Sequence, residues 1–281
     1  MNDAAPPRRI WLCADDYGLS PGVNRAIRDL IERGRLNATS VMVVGPSVGR
    51  DEIGALQTAA ASSPRCAVGL HVTLTAPFRP LTMHFRPVDG GMFPRFPKLL
   101  RAGLLRRLDG EIIQAELMVQ LSAFTDMFGR PPDFVDGHQH VQLFPQVREA
   151  FLAAVKQAAP GAWVRQSGRD QPLARRLGSP KALVLDLLSA KFRTLAARAD
   201  IACNPGFAGA YDFSGRPDFG ALMGEFLDGM PEGGLIMCHP GFVDDTLLSL
   251  DPLTTQREVE HAFLAGEHFP PLLAANKVTL G

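Results

Sequence analysis

The chain has 281 residues, of which 46% are hydrophobic and 21% charged, and Lys+Arg and Asp+Glu balance at 29 each. This composition excludes a disordered chain, and the absence of net charge leaves no broad basic footprint, so no nucleic-acid partner is expected. Cys13, Cys66, Cys203 and Cys238 stand singly in apolar segments without CxxC spacing, no secretory leader is evident and no apolar run approaches a membrane span; reduced thiols in a cytoplasmic protein are expected.

In chain order, Ile10–Ala14 reads as a buried strand. Ser20 and Pro21 then suit a helix N-cap and first turn, Val23, Ile27, Leu30 and Ile31 share one helical face, and Gly34 ends it. Thr39–Val44 is a β-branched strand, Asp51–Ala61 a short helix and Ala67–Leu74 a third strand. Thr75–Gly110 breaks this rhythm with five prolines and is expected to be a lid or binding wall. After it come a helix over Glu111–Phe128, a strand over Asp133–Val141, a helix over Gln146–Ala158 and an extended Ala162–Arg165. The remainder alternates between helix (Pro180–Ala199, Pro217–Asp228, Thr254–Gly266) and extended chain (Asp200–Cys203, Gly234–Cys238, Lys277–Leu280). Seven or eight such units predict an α/β fold, a distorted TIM-barrel-like (β/α) barrel forming one catalytic domain over 1–281, with an insertion at about 75–110. No dinucleotide glycine fingerprint follows the first strand.

Barrel active sites form at the carboxyl ends of the strands, and the ionisable residues fall there. Asp15 and Asp16 follow the first strand; an Asp pair is also a common turn device. His71 lies in an apolar strand-like run, where an unpaired imidazole is costly, although a satisfied core histidine is the plainer alternative. In a strand, Asp136, His138 and His140 would share one face, a poor apolar core and so a polar site. Arg165 and His239 each close a strand, as a site residue or an ordinary surface group would. Five strands thus bring carboxylates, imidazoles and a guanidinium to one rim. One carboxylate with two histidines, leaving positions open to water and substrate, suits a hydrolytic metal site.

Together, Ala14-Asp15-Asp16-Tyr17-Gly18 with Asn24, Gly69-Leu70-His71-Val72-Thr73-Leu74, Asp136-Gly137-His138-Gln139-His140-Val141 and Cys238-His239-Pro240-Gly241 resemble the YdjC-like carbohydrate deacetylases, a family that includes chitooligosaccharide and hopanoid-associated members. The resemblance implies a metal-dependent hydrolase that removes an N-acetyl group from an amino sugar through one divalent ion. Asp16, His71 and His138 would bind that ion, with zinc the first choice and magnesium the alternative. Asp15 would be the base, held by Arg165, and His239 the acid; His140, Asp136 and Tyr17 would contact the sugar. Gln142 departs from a histidine often found in the third motif. Another metal-dependent sugar reaction, isomerisation or hydrolysis of a different C–N bond, stays open, as does a homodimer. Seven basic residues and four phenylalanines in Thr75–Gly110, Leu100, Leu104 and Leu108 at helical spacing, and Val184, Leu188 and Leu195 on one helical face near Arg193 and Arg198, in a row that Lys181 and Lys191 interrupt, leave peripheral contact with an anionic inner membrane surface open, beside the plainer reading of a lid and a barrel helix that bury their leucines.

Overall fold

A computed structural model of the chain describes residues 6–63, 65–168, 180–213 and 217–281. The first five residues and the side chain of Lys181 lie outside that set. The strands are β1 (Arg8–Arg9), β2 (Trp11–Tyr17), β3 (Ala38–Val41), β4 (Ala67–Val72), β5 (Phe134–Gly137), β6 (Trp163–Val164), β7 (Phe207–Ala208), β8 (Leu235–Cys238) and β9 (Val278–Thr279). The helices are α1 (Pro21–Glu32), α2 (Arg50–Ser62), α3 (Phe96–Leu104), α4 (Gly110–Phe128), α5 (Val147–Ala158), α6 (Pro180–Arg198), α7 (Phe219–Leu227), α8 (Asp245–Leu250), α9 (Thr255–Ala265) and α10 (Phe269–Ala275). Seven parallel strands curl in the order β6-β5-β4-β3-β2-β8-β7, while β1 and β9 form a separate pair. Helix entry follows the local signals: Ser20 Oγ accepts from Val23 N at 3.2 Å, Pro21 opens α1, and Val23, Ile27, Leu30 and Ile31 are buried.

The expected strand at Asp200–Cys203 is a single parallel bridge from Cys203 to Val164, with Val164 N donating to Ala202 O at 2.8 Å. The strand itself comes later, at β7, and pairs with β8. Between them Asn204 extends the contact by side chain: its Oδ1 accepts from Gln166 N at 2.9 Å and its Nδ2 donates to Gln166 O at 3.1 Å. The segment around Asn204-Pro205-Gly206 thus links the two sheet edges without a continuous ladder. Proline lacks the donor a ladder needs, and the amide of Asn204 replaces a peptide unit. At the opposite end, Asn37 binds Leu12 N, Ile10 O and Leu280 O at 2.7–2.8 Å and so ties β2 to the final residues.

The barrel interior follows from strand periodicity, since alternate residues face the same way. Cys13, Ala38, Ala67, Phe134, Leu235 and Met237 pack in one inner cluster, with Trp11 and Trp163 against it. Trp163 stacks on Phe134 at 4.5 Å and on Trp11 at 5.9 Å between ring centroids. Two residues further along the same strands stand Asp15 after Cys13, Ser40 after Ala38, Asp136 after Phe134, Arg165 after Trp163 and His239 after Met237. Each interior file therefore begins apolar and ends polar, and the polar ends lie at the carboxyl side of the sheet.

The insertion is held to the outer helices. Glu116 of α4, buried, accepts from Leu81 N, Thr82 N and Thr82 Oγ1 at 2.7–3.0 Å and from Gln120 Nε2 at 2.9 Å. Phe78, Phe85 and Phe93 are buried, so these phenylalanines form core rather than an outward face. Of the three leucines set at helical spacing, Leu108 lies beyond α3 and is buried, Leu100 packs partly against the core and Leu104 is exposed. Among the described residues no helix is long and apolar enough to cross a membrane.

Candidate metal centre

Asp15 and Asp16 enter the same site through a bulge. Ala14 pairs with Thr39 and Tyr17 with Val41, so β2 carries one residue more than β3 across this interval. The extra residue is absorbed at Asp16, whose φ is +69°, a left-handed conformation that aspartate tolerates better than most residues. A regular strand would send two consecutive side chains to opposite faces. Here both carboxylates reach the interior. Asp16 Oδ1 lies 3.0 Å from His138 Nδ1 and 3.3 Å from His71 Nε2, and ligand atoms of the three residues all fall within 4.8 Å of one another.

The strand carrying Asp136 ends sooner than its sequence suggests. β5 stops at Gly137, and the chain kinks through left-handed Gln139 (φ +55°) and His140 (φ +57°) within the turns of His138–Leu143. Asp136, His138 and His140 therefore do not share a strand face. Asp136 Oδ1 meets His71 Nδ1 at 2.6 Å, with Ser40 Oγ 3.0 Å from the same nitrogen. Asp136 thus stands behind the imidazole, its two oxygens turned to His71 and Arg165. With Nδ1 engaged by Asp136 and Ser40, Nε2 is the ring nitrogen that faces the Asp16 oxygen. The Asp16 carboxylate, His71 Nε2 and His138 Nδ1 together form a donor set of the kind that could hold a metal ion.

Asp15 has a different setting. Arg165, buried, grips it with two hydrogen bonds, Nη1 to Oδ2 at 2.7 Å and Nη2 to Oδ1 at 2.6 Å, and also contacts Asp136 Oδ2. Burial alone would raise the Asp15 carboxyl, but Arg165 and then His71 outweigh it and lower it to about 2. Asp16 shows the same contest: burial is opposed by Arg257 and then His138, which hold its carboxyl well below the ordinary 3.8. Arg257 Nη2 lies 2.6 Å from Asp16 Oδ2.

His239 follows β8 at the rim, its backbone N–H donating to Glu260 Oε2 at 2.6 Å; the other oxygen of Glu260 accepts from the Tyr211 hydroxyl. His140 Nδ1 lies 3.0 Å from Ser167 Oγ, and burial lowers its imidazole to about 4. Three phenylalanine rings stand edge-on to rim histidines at centroid distances of 5.5–6.0 Å: Phe78 to His138, Phe207 to His140 and Phe213 to His239. Tyr17 is apart from this group. It is buried, and its hydroxyl donates to Glu52 O at 2.7 Å and accepts from Arg28 at 2.8 Å, between α1 and α2. Gln142 donates to Arg165 O at 3.2 Å from beneath. Sequence reasoning missed Arg257 and Glu260. Their one signal was an i, i+3 pair sharing a helical face with Leu264, ordinarily read as solvated.

The family model for YdjC-like proteins matches residues 9–275. A chitooligosaccharide deacetylase of Escherichia fergusonii is 30% identical over 254 residues, covering 85% of this chain and 84% of that protein. Its counterpart in Citrobacter koseri is 29% identical with the same coverage. The crystal structure of an Enterococcus faecalis protein named for cellobiose-phosphate cleavage aligns at a TM-score of 0.75 over 98% of this chain and 97% of that one, at 20% identity, and so shares the fold.

Proposed function

The chain belongs to the YdjC-like protein family, and on that premise we propose that it is a metal-dependent hydrolase that releases acetate from an N-acetylated amino sugar, in an oligosaccharide or linked to a lipid. One observation carries the reading: a one-carboxylate, two-imidazole cluster (Asp16, His71, His138) lies beside a second carboxylate, Asp15, held separately by Arg165. A protein that only bound sugar would have no need of a spare ionised carboxylate next to a ligand set. The two relatives named as chitooligosaccharide deacetylases supply the substrate class.

Asp16, His71 and His138 would hold the ion. Two imidazoles and a carboxylate suit zinc, and magnesium, which prefers oxygen ligands, is the alternative. What the ion supplies when bound is Lewis acidity: a polarised amide carbonyl and a water whose pKa falls toward about 7. Asp136, with Ser40 beside it, keeps His71 Nε2 directed at that position. Asp15 takes the proton of the attacking water. Arg165 holds that carboxylate in one orientation and ionised, at the cost of basicity, so the water it deprotonates must already be acidic. His239 protonates the departing amine, which leaves poorly as an anion. His140, its imidazole lowered to about 4 by burial, faces the sugar as a neutral hydrogen-bonding group near neutral pH.

The test is acetate release from N-acetylglucosamine, its oligomers and an N-acetylated glycolipid by metal-stripped protein, with zinc, magnesium, manganese or cobalt restored singly. Acetate that appears only on metal addition supports the reading. An isomerised sugar, or ammonia without acetate, would assign the site to another reaction.

A further inference from the structure

We propose that Arg257 is the positioning residue of the metal-ligating carboxylate, the middle member of an Asp251–Arg257–Asp16 chain that selects which Asp16 oxygen is offered and preserves the negative charge of the site. The proposal rests on the ligand role given to Asp16 above, and Arg257 and Asp251 lie outside the motifs that carry the resemblance.

Arg257 lies in the first turn of α9 with its side chain at 0% exposure. Its Nη2 is 2.6 Å from Asp16 Oδ2 and 2.6 Å from Asp251 Oδ2, and its Nε donates to Leu253 O at 3.0 Å. The path of the side chain is built in: a Cβ on Gly241 would lie 3.2 Å from Arg257 Cδ and 3.3 Å from its Cβ, and Gly241 N donates to Arg257 O at 3.1 Å. The loop after His239 is therefore shaped around this arginine.

Asp16 requires such a hold. Its backbone is left-handed, and its Oδ1 alone faces His71 and His138. With Oδ2 engaged by Arg257, the carboxylate presents one oxygen in one orientation. A lone guanidinium would defeat the purpose, because it would cancel the only negative charge among the three ligands. Asp251, on the same nitrogen, returns that charge. Its Oδ1 accepts from Leu253 N at 2.8 Å, which fixes it to the turn that also anchors Arg257 Nε. Aspartate, arginine and aspartate together carry one net negative charge, the sign that draws a cation, while the geometry stays locked. Carboxylates and donors placed behind metal ligands typically contribute about 10–100-fold in affinity.

The full-length chain is stripped of metal, and Kd for Zn²⁺ and for Mg²⁺ is measured by competition with a chelating indicator for wild type, Asp16→Asn, Arg257→Gln, Arg257→Lys and Asp251→Asn, each checked for folding by thermal melting. Arg257→Gln is expected to weaken zinc by about 10–100-fold and Arg257→Lys by less. Asp251→Asn, at the edge of the cluster, is expected to weaken zinc with little change in the melting temperature of the metal-free protein. If wild type and Asp16→Asn bind both ions equally well, or wild type binds neither, the ligand assignment falls and the proposal with it. If wild type binds, Asp16→Asn does not, and Asp251→Asn and Arg257→Lys keep the wild-type Kd, Arg257 is only a structural ion pair. Should Arg257→Gln not fold, the other two variants decide.

Discussion

Replacing Asp15 with Asn keeps the shape of the side chain and removes its charge, and the structure sets the expected size of two separate effects. The first is catalytic: losing a general base typically costs about 10²–10⁴-fold in kcat. The Zn²⁺ affinity should move far less than in Asp16→Asn, because Asp15 spends both oxygens on Arg165. The second effect is on stability. Burial opposes ionisation of Asp15, but Arg165 prevails and lowers the carboxyl from 3.8 to about 2, which corresponds to about 2 kcal/mol in the folded, metal-free chain. The folded value is the lower of the two, so this contribution is whole above about pH 4 and is lost as pH falls toward about 2. Urea unfolding of metal-stripped wild type and variant should therefore show a gap at neutral pH that narrows between pH 4 and pH 3. Steady-state acetate release at saturating metal measures the catalytic effect. A near-normal kcat would refute the assignment of Asp15 as base, and a stability gap unchanged by acid would refute the arginine clamp as its origin.

His71→Ala should lose bound metal and turnover together, and full occupancy by elemental analysis would end its assignment as a ligand. His239→Gln should lower kcat on amino sugars by about 10²-fold or more, with far less loss on an electron-poor acetanilide whose amine leaves unaided. Asn37→Ala strands Leu12 N and the carbonyls of Ile10 and Leu280, for about 2–4 kcal/mol read from the urea midpoint. Seven exposed basic residues in 75–110, with Leu104 and Leu105 exposed among them, lead us to expect weak, salt-sensitive retention on anionic liposomes. Failure to float at low salt, together with acetate release only from soluble oligosaccharides, would remove the lipid-linked substrate.

The repeated strand–helix pattern, the buried face of α1 and the placement of Asp15, His71, Arg165 and His239 at strand ends were legible in the sequence, because each depends on local periodicity. Period-2 alternation also carries the interior files from Cys13 to Asp15 and from Trp163 to Arg165. Periodicity fails where a local backbone departure decides. Nothing in Asp15-Asp16-Tyr17 announces the bulge that turns both carboxylates inward, and nothing in Asp136-Gly137-His138-Gln139-His140 announces that the strand stops at Gly137 and puts Asp136 behind His71. Both follow from the register with neighbouring strands, which curling the sheet fixes. Tyr17 lies within a matching motif, yet its hydroxyl is taken by Arg28 and Glu52 because α1 and α2 pack together above it. Asn204 linking the sheet edges, Glu260 under His239 and Arg257 on Asp16 join residues distant in the chain. A sequence records which residues can form an ion pair or a hydrogen bond; which of them meet is decided only when helices pack on the curved sheet and buried polar groups must find partners.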